Sequence, residues 1–192
     1  MNLLPAIEAR RARRALSTEP IAREVVETLL AAAHLAPSCA NRQPWRFVVA
    51  DASPALEEVK ASLSAGNYWA QVAPAIIAVA SRRDLDCVIP DGREYYLFGC
   101  GLAVAQLMIQ ATEMGLVAHP IAGYRAAEAR AALAIPDDYT LITLVVLGWP
   151  GDASKLSDKH RAEEAAPRDR RPLPDVIAWN RFSFTDATPS AG

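Results

Sequence analysis

The sequence predicts one mixed α+β domain in which helices cover a sheet of buried strands, and three observations carry that prediction. Short β-branched runs, Arg46-Phe-Val-Val-Ala50, Ala75-Ile-Ile-Ala-Val-Ala80 and Leu141-Ile-Thr-Leu-Val-Val-Leu147, have the length and composition of strands. Longer segments between them place apolar residues at helical spacing. The chain has 192 residues, 52% hydrophobic and 22% charged, enough to bury one core and within the size range of one domain.

Each element has its own signal. Pro20 to Ala36 carries Ile21, Val25, Leu29, Ala33 and Ala36 at helical spacing, with proline at its first position. The strand 46–50 follows, then a surface helix from Pro54 to Leu63 with Leu56, Val59 and Leu63 inward. Gly66-Asn-Tyr-Trp-Ala70 reads as a turn before strand 75–80, which is apolar on both faces. Glu94 to Met114 is the longest helix, ended by Gly115. Leu97, Leu102, Val104, Leu107, Met108 and Ile109 run all round it, so it needs cover from the sheet or from a second subunit. A short strand at 116–118 leads to the turn His119-Pro-Ile-Ala-Gly123, then to an alanine-rich helix over 125–134 and the strand within Tyr139–Gly148. Residues 151–172 are dense in charge and read as an extended surface segment. Beyond it, Val176, Ile177, Trp179, Phe182 and Phe184 are expected to dock on the domain or on a partner. The expected domain spans 1–186, with a disordered tail at 187–192.

Composition excludes several functions. A net charge of −2 supplies no global field for nucleic acid or an anionic membrane. The apolar stretch Leu97–Ala111 falls short of a membrane span, and the N-terminal arginines precede no cleavable apolar core. Cys39, Cys87 and Cys100 form no closed framework, so reduced thiols, no structural disulfide and a cytoplasmic location are expected. No cysteine–histidine pair, metal-ligand spacing or carboxylate pair is evident, and no glycine fingerprint holds a dinucleotide. Gly99-Cys100-Gly101 is better explained by close packing of its helix.

Two features remain. Arg10-Arg-Ala-Arg-Arg14 reads either as solvated surface or as a phosphate site, with Arg10, Arg13 and Arg14 on one face at helical spacing. Arg168 and Arg170, with Arg171, share that ambiguity, and convergence of the two clusters would favour phosphate. The loop Ala36-Pro-Ser-Cys-Ala-Asn-Arg-Gln-Pro-Trp45 sets polar groups between stiffening prolines and reads as a site wall.

These segments resemble the FMN-dependent nitroreductase family from about Arg10 to Trp179. Arg10-Arg-Ala-Arg-Arg-Ala-Leu16 is similar to the family's Arg-Arg-Ser-x-Arg-x-Phe, and Ala36–Trp45 to its Ala-Pro-Ser-x-x-Asn-x-Gln-Pro-Trp, the most specific match. Gly101–Leu116 with Pro120-Ile-Ala-Gly-Tyr124, and Pro167-Arg-Asp-Arg-Arg-Pro-Leu173, complete the pattern. The resemblance implies a three-layer α-β-α sandwich with a mostly antiparallel central sheet and two FMN sites at a homodimer interface. By residue-for-residue correspondence, Arg10, Arg11, Ala12, Arg14, Arg168 and Arg170 would hold the phosphate, the ribityl chain or the pyrimidine edge of FMN. Pro37, Ser38, Cys39 and Asn41 would line the flavin from the other subunit, and Asn67, Ile121, Ala122 and Gly123 would meet its ring.

The implied activity is ping-pong hydride transfer from NADH or NADPH through FMN to a small electron acceptor such as a nitroaromatic or quinone, with no catalytic side chain. Carbonyl or alkene reduction on the same fold, or flavin binding without turnover, are the alternatives. Ala12 replaces the usual serine and Leu16 an aromatic, and Ala70 stands where some members carry lysine, so their substrate preference does not transfer. Cys39, at a usual serine position, reads as a small-residue substitution in the wall, with an oxidisable thiol beside the flavin as the alternative.

Overall fold

The computed structural model describes residues 3–184. Four strands form its sheet: β1 (Arg46–Ala50), β2 (Ala75–Ser81), β3 (Val117–Ile121) and β4 (Thr140–Gly148). Their order is β1-β2-β4-β3 and every neighbouring pair is antiparallel. Helices α2 (Arg23–His34) and α4 (Tyr95–Glu113) cover one face; α3 (Ala55–Ala61) and α5 (Ala126–Ala132) cover the other. The result is the expected three-layer sandwich.

Strand alternation builds the two cores. In β2 every residue is buried: Ala75, Ile77 and Val79 pack with Leu29 of α2 and with Ala103 and Leu107 of α4, while Ile76, Ala78 and Ala80 join Leu56 and Val59 of α3. β4 repeats the pattern with Val145 and Leu147 on one side and Leu144 and Val146 on the other. Each buried Ile, Leu or Val among them contributes roughly 1.5–3 kcal/mol by burial. The register fixes which loops meet: the start of β1, the end of β2, the start of β4 and the end of β3 lie at one end of the sheet, through Arg46↔Ala80, Ala80↔Leu141 and Ile121↔Leu144.

Several expectations need correction. The arginine run is not helical: α1 (Pro5–Ala9) ends just before it, and the chain then runs extended to a bridge between Leu16 and Pro150. α2 begins at Arg23, three residues beyond Pro20. Gly66–Ala70 belongs to a 3-10 helical stretch over Ala65–Val72, broken at Asn67. β3 continues through His119 and Pro120, because it is an edge strand where a proline can sit without a lost ladder donor. The charged segment contains a helix, α6 (Asp158–Ala165), capped by the Ser157 side chain accepting from the His160 N–H.

α4 is 19 residues long with mean hydropathy 1.2, sufficient by length and composition to cross a membrane, contrary to the expectation from 97–111. Its face of Gly99, Cys100, Ala103, Val104, Leu107 and Ala111 is instead buried in the domain. Leu97 and Phe98 on its first turn remain exposed. Residues 187–192 lie outside the described residues.

Candidate functional site

The N-terminal segment Arg10–Ser17 is laid against the chain leaving the end of β4 by main-chain bonds. Ser17 N–H donates to Trp149 O at 2.9 Å, and Gly151 N–H to Ala15 O at 2.9 Å. Gly151 must lack a side chain there, since a Cβ would stand 2.2 Å from the Leu16 carbonyl. Glu164 of α6 holds the segment from outside: its carboxylate accepts from the N–H groups of Arg14 and Ala15 and pairs with Arg13 at 3.0 Å. Burial alone would push the Glu164 carboxyl up, but the two N–H donors and Arg13 outweigh it, and its pKa falls below the ordinary glutamate value.

This arrangement brings the two arginine clusters together. Arg168 donates to the carbonyls of Ile7, Glu8 and Arg10. Arg10 has its pKa lowered by partial burial and by the charges of Arg168 and Arg170. Arg11 donates to Ala166 O at 2.6 Å. Among the described residues no carboxylate pairs with Arg10, Arg11, Arg168 or Arg170. Arg14 differs, since Glu163 occupies it at 2.7 Å. Ala12 is exposed beside them. Like charges held together without a counter-ion are what an oligoanionic group such as phosphate would satisfy.

A second cluster lies further along the β3 edge. Asn67 Nδ2 donates to Gly123 O at 2.8 Å, and Ser64 N–H to the same oxygen at 2.9 Å. A Cβ on Gly123 would come within 2.6 Å of Asn67 Nδ2, so this contact requires glycine. Ile121 is buried and Ala122 exposed at the same turn. His119 links the clusters: its Nδ1 bonds the Arg13 carbonyl at 2.9 Å and its ring stacks on Trp69 at 4.7 Å. Burial, aided by Arg14 and Arg10, lowers the His119 pKa despite the opposing bond to Arg13 O. The carbonyl accepts, so the neutral ring carries its proton on Nδ1.

The loop of Pro37, Ser38, Cys39 and Asn41 is not brought to these clusters within one chain. It precedes β1, at the opposite sheet edge from β3, and its neighbours Ala36 and Trp45 pack into the other core layer from Trp69 and Ile121. Three strand spacings separate the two edges, roughly 14 Å. The two groups of residues expected to meet the flavin therefore lie apart within one chain.

The expectation of reduced thiols is overturned here: Cys39 and Cys87 form a disulfide across 48 residues of sequence. The loop folds back so that their Cα atoms are 6.1 Å apart, within the span a disulfide bridges. The cytoplasmic expectation loses the support of these two cysteines. Their sulfurs and a carboxylate oxygen of Asp86 lie within 4.8 Å of one another, but sulfurs bonded to each other are not metal-ligating thiolates. Cys100 is free and buried, and burial raises its thiol pKa to about 11. The packing read for Gly99 is specific: a Cβ there would lie 3.2 Å from Pro44 Cγ, whereas Gly101 faces open space.

Sequence reasoning missed Glu164, Trp69 and the non-local bond of His119. Each acts through a partner far away in the chain, and no local pattern marks it.

A four-stranded antiparallel sheet between helical layers defines a three-layer α+β domain. The chain belongs to the nitroreductase family, whose model matches residues 7–149. A crystal structure described as an oxidoreductase containing FMN superimposes with TM-score 0.86 at 33% identity, covering 96% of this chain and 95% of that one. A protein from Exiguobacterium sibiricum solved in complex with FMN shares the fold, with TM-score 0.76 at 23% identity, over 94% of this chain and 98% of its own. Among curated proteins, an NADH dehydrogenase of Thermus thermophilus is 28% identical, covering 92% of this chain and 98% of its own length. An iodotyrosine deiodinase of Danio rerio is 26% identical over 80% of this chain and 62% of its own.

Proposed function

We propose that this protein is an FMN-dependent oxidoreductase that takes electrons from NADH or NADPH and passes them to a small nitroaromatic or quinone-type acceptor. The observation that carries the reading is the convergence of Arg10, Arg168 and Arg170 without a carboxylate partner, joined through Arg13 and His119 to the Asn67–Gly123 turn. The residues fit FMN: guanidinium groups for the phosphate at one end, and a glycine turn with an amide at the other. The name of the FMN-containing structural neighbour supports the same cofactor. NADH as donor is supported by the name of the Thermus relative.

In this reading the arginines bind the phosphate by charge-assisted hydrogen bonds and fix the cofactor's position. Asn67 spends its Nδ2 on Gly123 O, and its Oδ1 has no hydrogen bond among the described residues, so it can accept one from the flavin edge. His119, neutral and fixed by Arg13 O, props Trp69 behind the turn and carries no proton to the reaction. The Pro37–Asn41 wall comes from a second copy, which makes a homodimer the functional unit. FMN, when bound, supplies the two-electron chemistry, so no side chain needs to act as nucleophile.

The acceptor is the least constrained part, since a deiodinase stands among the relatives. Stopped-flow mixing of the flavin-loaded protein with NADH and NADPH, followed by a panel of acceptors, is the test. The expected result is bleaching of flavin absorbance at catalytic rates and its recovery with a nitroaromatic or quinone. A yellow protein that neither nicotinamide bleaches would be a flavin carrier and would sink the enzyme reading.

A further inference from the structure

The Cys39–Cys87 disulfide ties a backbone turn of unfavourable conformation to the body of the domain. Ala40, Asn41 and Gln43 have φ values of 47°, 55° and 51°, in the left-handed region that residues with a Cβ rarely adopt. The hydrogen bonds of residues 39–41 all stay inside the loop: Asn41 N–H to Ser38 O, Arg42 N–H to Cys39 O, and Gln43 Nε2 to Asn41 O. Ser81 Oγ anchors the loop only at its far end, on Pro44 O. Among the described residues, the bond to Cys87 is therefore the one tie, beyond the main chain itself, from residues 39–41 to the rest of the fold; Gln43 O further on accepts from the Arg46 side chain of β1 at 3.2 Å.

The Cys87 end is the fixed one. Asp86 is 4% exposed, its Oδ1 accepts the Cys87 N–H at 2.8 Å, and it lies against the Gly99 and Pro44 contact. Its Oδ2 is buried with no hydrogen-bond partner. With a carboxylate oxygen within 4.8 Å of both sulfurs, a thiol S–H released there supplies a donor that the disulfide state lacks. Both cysteines are half-buried, so a small dithiol can reach them.

We propose that Cys39–Cys87 is a reversible thiol–disulfide site that locks the Pro37–Trp45 wall. In the reducing step a dithiol gives two electrons and two protons to the S–S bond, which becomes two S–H groups, and the reductant leaves as its own disulfide. The turn then relaxes from its left-handed conformation. The consequence for FMN rests on the cofactor reading above; the lock itself does not.

The test uses the full chain, air-oxidised and then treated with dithiothreitol. Alkylation after denaturation should count one free thiol before reduction, Cys100, and three after it, with reoxidation restoring the first count. Hydrogen exchange at residues 39–43 should quicken by about tenfold on reduction, and FMN binding should weaken by about tenfold, as expected when a local cross-link is released. Cys39→Ser and Cys87→Ser should each mimic the reduced protein and ignore dithiothreitol, whereas Cys100→Ser should keep the response. If one serine variant fails to fold, reduced wild type and the other variant carry the test. Three alkylatable thiols in the oxidised protein, or unchanged exchange at 39–43, overturn the lock. Faster exchange in a protein that holds no FMN in either state leaves the lock standing and removes the cofactor reading. Faster exchange with unchanged FMN affinity overturns the link between them.

Discussion

Burial and then the charges of Arg168 and Arg170 lower the pKa of Arg10, a repulsion that a bound anion would offset. Their roles nevertheless differ. Arg168 is committed to the carbonyls of Ile7, Glu8 and Arg10, so its removal would also loosen α1. The side chains of Arg10 and Arg170 make no hydrogen bond to a distant residue among those described, and they are the cleaner probes. Arg10→Ala and Arg170→Ala should each weaken FMN binding by about 1.5–3 kcal/mol, one charged hydrogen bond apiece, with little change in melting temperature. Fluorescence titration of the apoprotein measures this, and unchanged affinity in the double variant would refute a shared phosphate role. Gly123→Ala probes the other end. Its Cβ would displace the Asn67 amide, so FMN affinity should drop by about 1–2 kcal/mol while far-UV circular dichroism stays the same. An affinity equal to wild type would place the flavin elsewhere.

Among the elements, α6 has the most influence for its size. It has no buried residue and docks through ion pairs, hydrogen bonds and the stacking of His160 on Tyr68, yet Glu164 at its end positions the segment that carries the arginines. Because the folded Glu164 pKa lies below its ordinary 4.5, the unfolded chain binds more protons as pH falls through that value. Its contribution is complete above about pH 4.5–5 and is lost below it. His119 acts in the same direction at higher pH: its folded pKa lies below 6.5, so acidification beneath 6.5 protonates the unfolded chain first and stability declines. Melting temperature should therefore fall in two stages on acidification, the first below about 6.5 and the second below about 4.5. Glu164→Gln should lower the melting temperature at pH 7 by roughly 2–6 °C and shrink the second stage, leaving the part that Asp91, Glu128 and Asp152 contribute; an unaltered acid profile would show that α6 does not hold the segment.

The same helix shows why parts of the chain could not be read from its order of residues. The strands and the helices α2 to α5 were legible because each buries an apolar face of characteristic period. α6 buries none, so its charged composition looked like a solvated segment. The two arginine clusters were legible as candidates but not as one site, because Arg10 and Arg168 meet only through a docking that Glu164 and main-chain carbonyls arrange. Cys39 and Cys87 were separable only by folding, since nothing in the sequence sets the path of the loop between α2 and β1.

For the whole molecule, the exposed apolar surface is the remaining fact. Leu97 and Phe98 of α4 are 40% and 56% exposed, and the C-terminal stretch leaves Trp179 83% and Phe182 79% exposed. The two groups of residues expected to meet the flavin, at opposite edges and faces of the sheet, add a geometric demand, for a flavin held at Asn67–Gly123 finds no Pro37–Asn41 wall in its own chain. In the reading proposed above, a second copy related by a two-fold axis would meet both demands at once, covering the apolar surface and supplying the missing wall to each site. The C-terminal aromatics are then expected to lie across the partner, where each large side chain taken out of water adds about 2–3 kcal/mol. Ending the chain near Pro174 should therefore shift the protein from dimer toward monomer in light scattering at micromolar concentration and reduce bound FMN in parallel, because the wall and the cofactor leave together. A truncated protein that remained dimeric and fully loaded with FMN would show that α4 and the loop suffice, and that the tail has another partner.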